Sequence, residues 1–137
     1  MSDKPKRVKV YFENNYRGIL LVASALLSNE DLIETTHYVY SLPDVDRLVY
    51  QILDISKVER MDLSLPTLEY LANIDKEVAE QLPGMRIAVV AKPGIVESLT
   101  KMWENLSRHP KLSTKVCYSL QEARTWIEEV TGHTLSH

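Results

Sequence analysis

Eight consecutive residues near the middle of the chain, Leu48-Val49-Tyr50-Gln51-Ile52-Leu53-Asp54-Ile55, are apolar on both alternating faces. A strand solvated on one side shows apolar and polar residues in turn, so this run predicts a central strand covered on both sides. What flanks it decides the fold class. Upstream, Val8-Lys9-Val10-Tyr11-Phe12 and Gly18 to Leu26 read as two strands, and Asn14-Asn15-Tyr16-Arg17-Gly18 between them carries the turn residues of a hairpin. Ser28 before Asn29-Glu30-Asp31 supplies a capping hydroxyl and two acids for a helix from about Asn29 to Leu42, which Pro43 ends.

Downstream, Ser56 to Leu63 reads as a short charged loop, and Ser64-Leu65-Pro66-Thr67 opens a long helix. Its buried stripe is Leu68, Leu71, Ala72, Val78, Ala79 and Leu82, and Pro83-Gly84 stops it. Arg86 to Ala91 is the fourth strand, and Val96, Leu99, Trp103 and Leu106 mark the third helix. Thr114 to Tyr118 is the fifth strand. Ser119-Leu120-Gln121-Glu122 then has the spacing of a capping box for a last helix facing inward with Ala123, Trp126, Ile127 and Val130, with Gly132 as its C-cap.

The expected fold is therefore α/β, in the order ββαβαβαβα: a five-stranded mixed sheet, antiparallel in its N-terminal hairpin and parallel thereafter, with four helices. At 137 residues the chain suits a single domain over 1–137, with an ordered core at about 7–131 and tails at 1–6 and 132–137.

Composition narrows the functional classes. The net charge of −3 divides into +3 over residues 1–10, −8 over 11–83 and +2 over 84–137. Only Lys4, Lys6, Arg7 and Lys9 approach a basic cluster, and no stacking aromatics accompany it, so nucleic acid is not an expected partner. The longest apolar run, Ile19 to Leu27, is about half of a membrane span. No transmembrane segment is expected. The start Met-Ser-Asp-Lys-Pro-Lys-Arg lacks the apolar region of a secretory signal, and the single Cys117 forms no internal disulfide, so the expected compartment is the cytoplasm.

Chemistry-bearing motifs are few. The four glycines form no phosphate-binding or dinucleotide-binding loop, and no nucleophile elbow or metal-type Cys/His spacing lies in the core, so no cofactor and no metal is expected. His37 falls mid-helix. His109 falls at a helix end, where a cation beside the carbonyls explains it. His133 and His137 are spaced for a metal but follow Gly132 in the expected tail. Cys117 reads as a buried, inert strand thiol.

Three residues remain as site candidates. Asp54 ends the central strand, where ligands bind in α/β sheets; Asp62 follows it in the loop, and Ser64 stands at the head of the next helix. The two carboxylates could act as acid and base if they were close and unequally buried. Their structural role is simpler, Asp54 bonding the turn that follows and Asp62 accepting amides at the helix start. Ser64 is explained as an N-cap, and a phosphate on it would also bring about two negative charges to the positive end of the helix.

The segments Leu53-Asp54-Ile55-Ser56-Lys57-Val58 and Met61-Asp62-Leu63-Ser64 resemble the central strand and switch loop of STAS domains, the family of anti-sigma-factor antagonists and sulfate-transporter tails. Ser119 to Ile127 is similar to the helix that closes many such domains. The resemblance implies a STAS-like small bacterial protein, of a group without an established activity as a class and with a fold shared with CRAL-TRIO domains. In the antagonists the loop reads Asp-Ser-Ser-Gly and a partner kinase phosphorylates the second serine; Asp62 falls on that aspartate and Ser64 on that serine. Leu63 replaces the first serine, and Leu65-Pro66 replaces the glycine. What the resemblance implies is a non-enzymatic module that binds a protein partner, a kinase or regulator, around Asp54, Asp62 and Ser64. A carrier of a small apolar ligand or lipid is the alternative: if helices cover only one sheet face, a second copy or a ligand must bury the other. An enzyme using Asp54 and Asp62 is third.

Overall fold

The computed structural model describes residues 3–82 and 84–131. Pro83, Gly132, His133 and His137 lie outside the described residues, as does the side chain of Val130. The elements in chain order are β1 (Val8–Glu13), β2 (Gly18–Ser28), α1 (Asn29–Tyr40), β3 (Tyr50–Asp62), α2 (Leu65–Gln81), β4 (Met85–Val90), α3 (Ile95–Leu106), β5 (Leu112–Cys117) and α4 (Leu120–Thr131). A single 3₁₀ turn at Val45–Arg47 precedes β3. The expected α/β order is what the structure shows.

The strands lie in the sheet in sequence order, β1 antiparallel to β2 and β2 through β5 parallel. Successive crossovers of one hand between neighbouring parallel strands stack their helices on one side. Accordingly, residues of α1, α2 and α3, among them Leu32, Val39, Leu71, Ala79 and Val96, share one core with Ile19, Leu21, Ile55, Ile87 and Val89 of the sheet. Among the described residues the other face has only α4, whose Ala123 and Ile127 pack with Tyr50, Ile52, Ala88, Val90 and Cys117. The central strand is thus covered from both sides, and α4 rather than a ligand closes the second face over β3, β4 and β5.

One polar network fixes that second layer. Arg124 of α4 donates from both terminal nitrogens to Glu13 at the end of β1, at 2.8 and 2.6 Å. The Tyr50 hydroxyl donates to the same carboxylate at 2.8 Å and accepts from Asn14 Nδ2 at 2.8 Å. All of this sits at the hairpin turn, where Asn14, Asn15 and Tyr16 take positive φ. Gly18 follows the turn, and a Cβ there would lie 1.9 Å from Cζ of Tyr50.

The largest difference from the sequence reading is the length of β3. The segment Ser56 to Leu63, read as a charged loop, is strand as far as Asp62, paired with Ser24 to Ser28 of β2. β4 stops pairing at Asp54, so past that point β2 and β3 continue as a two-stranded ribbon. The ribbon contains two register shifts, between Val22 and Ser24 and between Ala25 and Leu26, each with one extra residue in β3. Such bulges break the alternation by which a strand is recognised. Lys57 is exposed and Val58 buried, but Glu59 and Arg60 are then exposed in succession, which reads as loop. Ala25, beside the second bulge, has φ of 62°.

Two substitutions test this geometry in opposite directions. Gly18→Ala forces the Tyr50 ring aside and is expected to lower unfolding stability by about 2 kcal/mol in a urea titration. Ala25→Gly relieves a left-handed alanine and is expected to raise stability by roughly 0.5 kcal/mol, net of the greater freedom of glycine in the unfolded chain.

Candidate functional site

Asp54 continues the alternation of Tyr50 and Ile52, which places it on the α4 side of the sheet between Val22 and Val90 of the neighbouring strands. Its Oδ1 accepts from the Ser56 backbone N–H at 3.0 Å and from the Ser56 hydroxyl at 2.6 Å. The expected bond to the following backbone is therefore present, but it holds a bulge within β3 instead of a turn at its end. Asp62 lies eight positions further along the same strand, on the order of 20–25 Å away. The structure does not bring the two carboxylates together.

Asp62 is exposed and opposite Ser28 of β2, in a polar cleft that it shares with Lys6, Arg7, Asn29 and Asp31. Ser28 caps α1 as expected: its hydroxyl accepts from the Asp31 N–H at 3.2 Å, and the Asp31 carboxylate accepts from the Ser28 N–H at 2.9 Å. Ser64 occupies the N-cap position of α2, but its hydroxyl makes no bond to the amides of that helix. It donates to Thr67 Oγ1 at 3.1 Å and accepts from Asn29 Nδ2 at 3.3 Å. The Ser64 N–H at the start of α2 goes to Asn29 Oδ1 at 3.0 Å, where Asp62 was the expected acceptor. Asn29 thus ties the heads of α1 and α2 together. Nothing in the local sequence links residues so far apart; only the pairing of Ser28 with Asp62 brings them side by side. Leu65, 52% exposed, follows Ser64 directly, while Tyr70, 47% exposed, lies in the second turn of α2 with its hydroxyl 3.2 Å from Nε2 of His37 in the last turn of α1.

A second polar cluster, absent from the sequence reading, lies inside the main core. Asp75 belongs to the buried face of α2, where a helical stripe predicts an apolar residue. Tyr40 donates to Asp75 Oδ1 at 2.5 Å, and Gln51 Nε2 donates to the Tyr40 oxygen at 2.8 Å. Burial pushes the Asp75 carboxyl up to about 7, partly opposed by the bond from Tyr40. Burial also raises the Tyr40 hydroxyl, helped by the charge of Asp75. The cluster borders a partly open cavity of about 70 Å³ between the sheet and helices α1, α2 and α3.

The remaining residues follow their structural readings, with one exception. Cys117 is fully buried, and desolvation lifts its thiol to about 11. His109 lies beyond the end of α3 and so does not sit against its carbonyls. It accepts from the Lys111 N–H through Nδ1 at 3.0 Å and places Nε2 3.2 Å from Glu80 of α2. The Ser119 hydroxyl accepts from the Glu122 N–H as a capping box requires, while the Glu122 carboxylate reaches one residue further back, to the Tyr118 N–H. Among the described residues no cluster of His, Cys, Asp and Glu could hold a metal ion, and no helix is long and apolar enough to cross a membrane.

Asp75 makes stability depend on pH in a defined window. Its carboxyl rises from 3.8 in the unfolded chain to about 7 in the folded one, so between these values the native state binds the extra proton. Its contribution is fully present below about pH 4 and is lost as pH rises toward 7, with a slope of about 1.4 kcal/mol per pH unit. Asp75→Asn, which can still accept from Tyr40, is expected to remove that slope and to be at least as stable as the wild type at pH 8, measured by urea unfolding across the range.

No protein-family model and no curated protein matches the chain. Among solved structures it is similar to an uncharacterized protein of the DUF3478 family with a SpoIIAA-like fold, from Shewanella loihica PV-4. The identity is 17% and the TM-score 0.59, over 93% of this chain and 98% of that one. At that identity the likeness speaks for the fold, and the chain has the SpoIIAA-like, STAS-like fold that its central strand and loop resemble.

Proposed function

We propose that the chain is a non-enzymatic, STAS-like regulatory module of the cytoplasm. It binds a protein partner, a kinase or another regulator, at the junction of α1 and α2. The observation that carries this reading is the arrangement at Ser64. Its hydroxyl bridges to Asn29 and Thr67 instead of capping α2; the exposed Leu65 follows it directly, and the exposed Tyr70 lies in the second turn of the same helix. An apolar residue exposed at the head of α2 and an aromatic one exposed further along the same helix suit a protein contact. In this reading a phosphate on Ser64 meets the positive end of α2 and breaks the Asn29 bridge, next to the exposed Asp62. Asp54 then serves the interface indirectly, by fixing the bulge from which the ribbon carries Asp62 and Ser64 outward.

The enzyme reading loses its support because Asp54 and Asp62 form no common site. The lipid-carrier reading is weakened because α4 covers the second face, and the cavity of about 70 Å³ on the first is roughly half of one that accepts benzene.

The test compares affinity-tagged wild type, Ser64→Ala, Ser64→Asp and Tyr70→Ala expressed in the native host, with bound proteins measured by quantitative mass spectrometry. A partner that is kept by wild type and Ser64→Ala, and reduced about tenfold or more by Ser64→Asp and by Tyr70→Ala, is the expected outcome. Equal recovery with all four chains would remove both the switch and the interface from this surface.

A further inference from the structure

β5 forms one edge of the sheet, and half of its backbone groups are turned away from β4. The Met85 N–H donates to the Lys111 carbonyl at 2.8 Å and the Ala91 N–H to the Cys117 carbonyl at 2.9 Å, so the odd-numbered residues of this segment bond to β4. Thr114 and Val116 therefore direct N–H and C=O outward, where β5 has no neighbouring strand. Beyond them the edge is closed: the Leu112 N–H goes to the His109 carbonyl and the Tyr118 N–H to the Glu122 carboxylate. The open stretch is the floor of a groove of about 280 Å³. Its walls belong to opposite layers. Val116 faces the core of α1, α2 and α3, and Thr100 and Trp103 of α3 line that side. Cys117 faces α4, and Lys115, two residues earlier, shares that side with Trp126 of α4.

A free sheet edge between two indoles is shaped for an extended chain, whose main chain bonds the edge while its side chains alternate between the walls. Lys115 sets the charge of that chain. It is exposed and enters no ion pair among the described residues, while Glu122 of α4 is turned to the Tyr118 N–H. We propose that β5 accepts, as an added strand, an extended segment of a partner protein that carries a carboxylate between two apolar residues. Laid antiparallel, the apolar residues exchange main-chain bonds with Thr114 and Val116 on the side of Trp103, and the carboxylate lies opposite Lys115 on the side of Trp126. A second copy of β5 is a poorer occupant, because the strand Leu112–Cys117 contains no acid to meet Lys115. None of these residues belongs to α1 or α2, so this groove and the surface at Ser64 stand or fall separately.

The experiment follows the intrinsic fluorescence of the full chain, whose two tryptophans both line the groove. The probes are three capped pentapeptides without aromatic residues: Thr-Val-Glu-Val-Thr, the same peptide methylated on both valine nitrogens, and Thr-Val-Lys-Val-Thr. A saturable change with the first is expected, with the other two at least about tenfold weaker. Lys115→Glu, at an exposed position, is expected to invert the preference between the glutamate and lysine peptides. No saturable change with the glutamate peptide up to about 5 mM would overturn the proposal and leave Lys115 as a charge that keeps the edge unpaired. Undiminished binding of the methylated peptide would overturn it as well, since the contact would then not be strand addition. Sedimentation of the chain alone adds a further check: a dimer abolished by Lys115→Glu would give the edge to a second copy and overturn the assignment to a partner.

Discussion

The bidentate pair between Arg124 and Glu13 is the contact on which the second layer of this protein depends. Three parallel crossovers of one hand commit α1, α2 and α3 to a single face, so the other face of β3 would be left to solvent unless the last helix crossed over to it. α4 does so, and Arg124 is its only described charged residue buried against the sheet. Two charges removed from water are costly unless they are paired with good geometry, and here the carboxylate also accepts from Tyr50. The network joins the first hairpin, the central strand and the final helix, which are far apart in sequence. Truncating either charged partner alone would leave the other buried and uncompensated.

The helices and the order of the elements are readable in the sequence because their signals are local. Ser28 with Asp31 marks a helix head, and the apolar run from Leu48 to Ile55 marks a doubly covered strand. The failures came where a residue's role is set across the sheet. Ser56 to Asp62 looks like loop because two bulges spoil its alternation, yet it is held as strand by β2. Asp62 and Ser64 were recognisable as candidates, but Asn29, which organises them, became visible only once β2 and β3 were in register.

Asp75 shows a different limit. The helical stripe of α2 was read correctly at Leu68, Leu71, Ala72 and Ala79, and Asp75 falls on the same face. A charged residue within such a stripe is normally assigned to the rim. Its partners, Tyr40 at the end of α1 and Gln51 in β3, come from two other elements, and neither neighbours it in sequence. The signal available was the acid itself in a position where period and propensity both call for an apolar side chain, a local inconsistency that marks groups kept for reasons other than packing.

The two bulges also bear on how this chain is to be matched with others of its fold. Each lets β3 hold one residue more than β2 needs, so the spacing between the sheet and the head of α2 is not a fixed number. A relative could gain or lose a residue at either place and keep its strands, its core and its helix caps, while every position beyond would shift by one along the chain. Equivalence of the serine at the helix head is therefore better judged by its partner on α1 than by counting from the central strand. In this chain that partner is Asn29, and it places Ser64 without reference to the residues in between.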